Sequence, residues 1–292
     1  MNLLVCMIAS LNSYRQEQIG PSHYFACVLW HDHLIIGMRK KIMEPLGYEH
    51  GIHAANAGDV WKHFILAEVA DYLCAGRRGL TYMESHAGHP EYILSSPGQW
   101  QGGIGRCWLH LPDLRRFKYF DILADMNPEG LKRYPGSVRL VIEIAGRCGM
   151  DLDVEVWDID PYVASEWAGW PHVHFHRGDG FSGACFVLGN LNPGLLLIDP
   201  PYVDCRDAER AYQLFLKARE LGWTALWWSM YEGIAVPGLC AGIELHTLRF
   251  ADAGMDGGRW KCASMALYSP DCCLAEHLRN RSMDLIEVLN LK

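Results

Sequence analysis

The sequence lacks any run of the roughly 18 uninterrupted apolar residues that a membrane helix requires. Its most apolar candidate, Phe25 to Met38, is broken by His31, Asp32 and His33. A spanning helix is therefore excluded, and Leu3 to Ala9 is not a secretory signal core because no basic residue precedes it. Positive charge is also short: 26 Lys and Arg face 34 Asp and Glu, a net charge of -8. No global field draws such a chain to nucleic acid or anionic lipid, so any contact of that kind uses a local patch. The 11 cysteines include no C-x-x-C pair, and no Cys/His/carboxylate cluster has ligand spacing. No metal is expected, and reduced thiols in a soluble cytoplasmic protein are the expectation. Charged residues are scarce as well, at 21% against 50% hydrophobic, which excludes a largely disordered chain.

What is present reads as an α/β protein. Residues 1–42 follow no sustained period and end in the basic cluster Arg39, Lys40, Lys41 just before Met43. They are read as an N-terminal extension to a domain spanning 43–292. From Asn56 the spacing of Val60, Phe64, Ala67 and Leu66, Val69, Ala70, Leu73 predicts a helix closed at Gly76. Seven strand-like runs follow: Leu80 to Glu84, Asp153 to Asp158, Val173 to His176, Leu195 to Asp199, Thr224 to Met230, Ile243 to Phe250 and Cys262 to Tyr268. Helical patterns separate several of them, including Ala211 to Leu221 and Leu274 to Leu289. This alternation predicts a mostly parallel, Rossmann-like sheet of about seven strands covered on both faces.

About seventy residues separate the first two strands, too many for one crossover helix, so a helical subdomain is expected to be inserted at about 92–133. From Arg106 to Arg139, seven cations (Arg106, Arg115, Arg116, Lys118, Lys132, Arg133, Arg139) face four carboxylates (Asp113, Asp121, Asp125, Glu129). Trp108, Phe117, Tyr119 and Phe120 are interleaved with them. Such a mix suits phosphate contact and base stacking, and equally a solvated face over a small apolar core.

The run Leu195 to Ile198 stops in Asp199-Pro200-Pro201-Tyr202. Ligands of open α/β sheets bind at the carboxyl ends of strands. Two prolines block continuation of the strand, so the Asp199 carboxylate and the Pro200 carbonyl can be held side by side as acceptors, with Tyr202 offering a ring face. Two acceptors and a stacking surface suit the exocyclic amine of a planar base. A positive charge that grows on that amine during methylation is stabilised by Asp199.

The chain resembles the RlmJ family of 23S ribosomal RNA (adenine-N6)-methyltransferases, which use S-adenosylmethionine. The resemblance is carried by Tyr48 with His53 to His63, Tyr82 to Gly88, Tyr134 to Ser137, Gly178-Asp179-Gly180 and Asp199 to Tyr202, in the family's order. It implies a methyltransferase fold, cofactor contacts from His63, His86, Ser137, Asp158, Asp179 and Gly180, catalysis by Asp199, Pro200 and Tyr202, and RNA contact by Tyr48. It further implies 23S ribosomal RNA as the partner, met before full ribosome assembly. Lys62 is either a partner for the cofactor's carboxylate or a solvent-facing lysine. The other twelve histidines carry no motif and are read as structural.

Two departures stand out. The family's Asp-Thr-His-Ala-Gly-Ala-Gly loop is Glu84 to Pro90 here, with proline in place of the second glycine. Proline permits neither close backbone approach nor positive φ, so weaker cofactor binding is expected. Asp158 stands where the family tends to place a glutamate. The alternatives are an adenine-N6 methyltransferase acting on another RNA or on DNA, and a non-catalytic RNA-binding relative.

Overall fold

The computed structural model describes residues 50–76, 78–230 and 242–290. The extension 1–42 and Tyr48 lie outside them. The described residues up to Pro201 and from Arg206 onward form one compact unit, and Tyr202–Cys205 fall outside it.

Helix α1 (Ala57–Cys74) starts where Asn56 caps it, its side-chain oxygen accepting the Asp59 N–H at 3.0 Å. The helix is buried on nearly every side, with Val60, Trp61, Phe64, Ile65 and Leu66 all in the core. A helix this apolar belongs inside the molecule, which is why Lys62 and His63 are interior residues.

Seven strands build one sheet: β1 (Gly79–Glu84), β4 (Asp151–Asp158), β5 (Val173–Arg177), β6 (Leu195–Ile198), β7 (Thr224–Ser229), β8 (Ile243–Arg249) and β9 (Cys262–Tyr268). Their order is β5-β4-β1-β6-β7-β9-β8, parallel from β5 to β7, with β9 antiparallel to both β7 and β8. Each expected strand is present within about two residues of its predicted ends. Alternate side chains feed two cores. Leu80, Tyr82, Leu195, Leu197 and Leu226 face one, and Met83, Trp157, Leu196, Ile198, Ala225 and Trp227 face the other. The first core is covered by α1, α3 (Ser137–Arg147) and α7 (Cys272–Asn290), the second by α5 (Gly180–Val187) and α6 (Asp207–Glu220). Helix α4 (Pro161–Trp167) connects β4 to β5. This is a Rossmann-like, doubly wound sheet with both faces buried, and its strands read as continuous apolar runs for that reason.

Between β1 and β4 a short antiparallel ribbon, β2 (Glu91–Ile93) with β3 (Arg133–Pro135), brackets three short helical segments and α2 (Lys118–Met126). Asn127 holds the return: its amide donates to the Leu123 and Arg133 carbonyls, and its oxygen accepts the Lys132 and Arg133 N–H groups. Phe117, Tyr119 and Phe120 are fully buried in the same core as α1, and Phe117 meets Phe64 edge to face at 5.4 Å. They hold the segment to the sheet unit and are not available to stack on bases. The cations are matched too. Arg115 pairs with Asp121 and Asp125, Arg133 grips Glu91 at 2.6 and 2.7 Å, Lys132 lies 3.6 Å from Glu129, and Arg116 donates to the Asp284 carbonyl. The local excess of positive charge is therefore mostly internal structure.

Because Phe117 belongs to the shared core, Phe117→Ala should destabilise the whole unit by about 3–5 kcal/mol in a single cooperative urea transition. Tryptophan fluorescence and circular dichroism should report the same midpoint. A separate early transition would show that the segment has a core of its own.

Candidate active site

Four acidic side chains gather where the parallel strands end: Glu84 closes β1, Asp158 closes β4, Asp179 follows β5 and Asp199 follows β6. Asp199 is engaged from below by α1. Lys62 Nζ lies 2.6 Å from Asp199 Oδ2 and 3.1 Å from Asp59 Oδ1. Burial alone lowers the pKa of this amine, but the Asp199 and Asp59 carboxylates outweigh burial and raise it well above the ordinary value. Lys62 is thus a fixed buried cation rather than a solvent-facing lysine. The sequence signal that could have found it is its position one helical turn from Asp59 on a helix apolar all round.

Glu84 is fully buried, with Ser137 Oγ donating to Oε1 and Tyr82 Oη to Oε2, both at 2.6 Å. Burial lifts its carboxyl pKa from 4.5 to about 8, against the lowering effect of the Ser137 and Tyr82 hydroxyls. Ser137 starts α3 after Gly136, whose backbone sits so close to the His89 carbonyl that a Cβ there would approach the oxygen to 2.1 Å. Only glycine fits that crossing.

The loop from Ser85 to Pro90 is pinned at each step. Ser85 N–H donates to the Leu197 carbonyl, Ala87 N–H to Trp157, and Gly88 N–H to Asp158 Oδ2 at 3.1 Å, while the Gly88 carbonyl accepts from the Trp167 indole. The other Asp158 oxygen accepts the Asp160 N–H at 2.9 Å. Gly88 takes φ 62°, the one left-handed position in the loop. Pro90 is buried, and its carbonyl accepts the Gly136 N–H at 2.9 Å, so the proline is part of the frame that joins this loop to α3.

Gly180 meets the loop from the other side. A Cβ on it would lie 1.5 Å from the Ser85 carbonyl oxygen. Beside it, His86 packs edge to face on Phe181 at 4.7 Å and shares a 2.9 Å hydrogen bond with Ser85. Burial lowers the His86 pKa. Asp179 is more exposed, accepting from Ser182 Oγ at 2.5 Å and from the Arg210 guanidinium. Burial raises its pKa, but Ser182 and Arg210 together outweigh burial and lower it below the ordinary value. Arg210, which lies 4.4 Å over the Phe181 ring, is a second residue the sequence analysis did not single out.

His63 lies on α1 next to Lys62. Its ring stacks on Tyr134 at 5.1 Å, and burial drives its pKa down to about 3, so the imidazole is neutral. Among the described residues its Nδ1 has no hydrogen-bond partner. A buried orphan of this kind calls for a ligand. The structure thus brings Glu84, His86, Ser137, Asp158, Asp179 and Gly180 around one loop, with Lys62, His63 and Asp199 adjoining it through α1 and β6. Tyr202 has a left-handed backbone, φ 54°, and stands outside the compact unit.

The family model described as "RsmJ: Ribosomal RNA large subunit methyltransferase D, RlmJ" matches residues 77–247, which include every strand-end carboxylate above. The chain belongs to this family. Among curated RlmJ relatives, Ribosomal RNA large subunit methyltransferase J of Haemophilus influenzae is 32% identical over 193 residues, covering 61% of this chain and 66% of that protein. The Escherichia coli protein of the same name is 32% identical over 168 residues, covering 54% and 59% respectively. The chain thus spans just under two thirds of the length of the curated relatives it matches. A crystal structure of a Legionella pneumophila protein shares the fold at a TM-score of 0.64 with 21% identity, over 81% of this chain and 92% of that one.

The Glu84 environment has a measurable consequence for this RlmJ-family chain. A carboxyl raised from 4.5 to about 8 by folding binds more protons native than unfolded, so its contribution to stability is full below pH 4.5 and is lost as pH climbs toward 8. Glu84→Gln, uncharged at every pH, should flatten this fall. Melting curves between pH 5 and 8 measure it, and equal slopes for both proteins would show that Glu84 is ionised in the native state.

Proposed function

We propose that this chain is an S-adenosylmethionine-dependent methyltransferase acting on N6 of an adenine in 23S ribosomal RNA, met before full ribosome assembly. The observation that carries the reading is the Asp199 carboxylate, held at 2.6 Å by the buried Lys62 cation at the end of β6 and followed at once by Pro200. Family membership supports the substrate class, and the alternatives of another polymer or of a non-catalytic relative have no observation in their favour.

The residues fit the cofactor. His63 supplies a buried nitrogen in want of a partner, Asp158 ends β4 where ribose hydroxyls are commonly accepted, and Gly88 and Gly180 keep the floor of the loop free of side chains. Ser137, His86 and Asp179 complete the proposed contacts. S-adenosylmethionine, when bound, supplies an electrophilic methyl group. The chain's own residues do the rest. Asp199 and the Pro200 carbonyl accept the two N–H groups of the adenine amine and favour its pyramidal, more nucleophilic form. Lys62 holds the Asp199 carboxylate in place through their 2.6 Å contact. As positive charge builds on N6, the fixed Asp199 carboxylate opposes it at no cost of reorganisation. Tyr202 stacks on the base, and Tyr48 touches the RNA.

Asp199→Asn preserves shape and removes charge, so it should lower turnover on 23S RNA by about 100- to 1000-fold while leaving S-adenosylmethionine binding within about twofold. Single-turnover assays on free RNA and on assembled subunits, with a calorimetric cofactor titration, test the whole reading. Near-normal turnover in the variant removes Asp199 from the mechanism. Absence of cofactor binding in the parent chain favours the non-catalytic relative.

A further inference from the structure

Strand β5 carries His174 and His176 in alternation, and its neighbour β4 carries Asp153 and Glu155 in alternation. Side chains two apart on a strand share a face. The parallel register sets Glu155 against His174 and Trp157 against His176. Both imidazoles that the strand presents here meet carboxylates: His174 Nε2 lies 3.2 Å from Asp153 Oδ1, and His176 Nε2 lies 2.5 Å from Glu155 Oε2. Ligand atoms of Asp153, Glu155 and His174 all fall within 4.8 Å of one another. Ligands of a tetrahedral zinc ion bonded at about 2.0–2.1 Å stand about 3.3 Å apart, so the 3.2 Å pair is already at that spacing and the other contacts of this trio need close by at most about 1.5 Å, while His176 joins the trio through its contact with Glu155.

The packing supplies both an anchor and freedom to close. The Glu155 side chain is 14% exposed, whereas those of Asp153 and His174 are 53% and 58% exposed and can swing. His176 is oriented by stacking on Trp157 at 4.7 Å, the tryptophan itself wedged against Gly183 of α5. Two nitrogens and two carboxylate oxygens, with no thiolate, suit a borderline divalent transition metal. The cluster was invisible to ligand-spacing rules because its halves come from two strands about twenty residues apart.

We propose that Asp153, Glu155, His174 and His176 form a binding site for a divalent metal ion of the zinc class, which cross-links edge strand β5 to β4. Its carboxylates lie three to five residues upstream of Asp158 on β4, and the site is independent of the methyl-transfer reading. Its effect is to tie down an edge strand whose following turn carries Asp179 and Gly180.

The test is a titration of the full chain with Zn2+ alone. It is run in a Cys272→Ser/Cys273→Ser background, because Asp271, Cys272 and Cys273 also bring ligand atoms together. One ion should bind per chain and raise the melting temperature. Adding His174→Ala and His176→Ala should weaken binding by about tenfold or more and abolish the rise. Asp153→Asn, which keeps the shape of the strand, should weaken binding in the same direction and serves if the double histidine variant does not fold. Unchanged Zn2+ affinity and an unchanged melting shift in the folded variants would overturn the proposal.

Discussion

The buried ion pair between Lys62 and Asp199 is the constraint around which this molecule is arranged. A buried cation is tolerable only with close carboxylate partners, and Lys62 has two, Asp199 and Asp59. That requirement ties the second turn of α1 to the end of β6 and holds Asp199 in place. It also explains why α1 runs through the interior: a helix apolar on every side carries the lysine to a place where water cannot compete for it. Removing Lys62 would leave the Asp199 and Asp59 carboxylates without their shared cation, whereas Asp199→Asn leaves Lys62 its pairing with Asp59. The same contact that holds the fold together therefore holds the proposed catalytic group.

Around this pair the strand ends are packed by backbone approach rather than by side chains. Gly180 rests on the Ser85 carbonyl and Gly136 on the His89 carbonyl, and neither crossing leaves space for a Cβ. Asp158 accepts backbone amides from the loop and from its own chain two residues on. Such a floor is rigid before any ligand arrives, which is what electrostatic preorganisation demands. Pro90 belongs to this frame, since its carbonyl receives the amide of Gly136. The substitution of proline for glycine is absorbed as framework, and the loop's one left-handed residue is Gly88.

The segment between β1 and β4 makes the opposite point about charge. Its cations outnumber its carboxylates in sequence, yet Arg115, Arg133 and Arg139 are matched by Asp121, Asp125 and Glu91 in space, one of them reached from the preceding ribbon strand. Its aromatic residues turn inward. A basic, aromatic-rich stretch is thus here a packing device.

The sequence by itself determined the seven strands, the long buried helix and Asp199-Pro200-Pro201 as the end of a strand, because each is written in local periodicity or in residues that cannot continue a strand. It also carried the five family segments that name Ser137, Asp179 and Gly180. Tertiary structure alone decided that Lys62 faces Asp199, that Glu84 is held between Tyr82 and Ser137, that His63 Nδ1 has no partner among the described residues, and that two strands bring Asp153, Glu155, His174 and His176 to one edge of the sheet. The reason is physical: periodicity fixes which face of an element is buried, whereas a pKa, an ion pair or a ligand set depends on what a distant part of the chain places within a few ångströms, and that distance is not written locally.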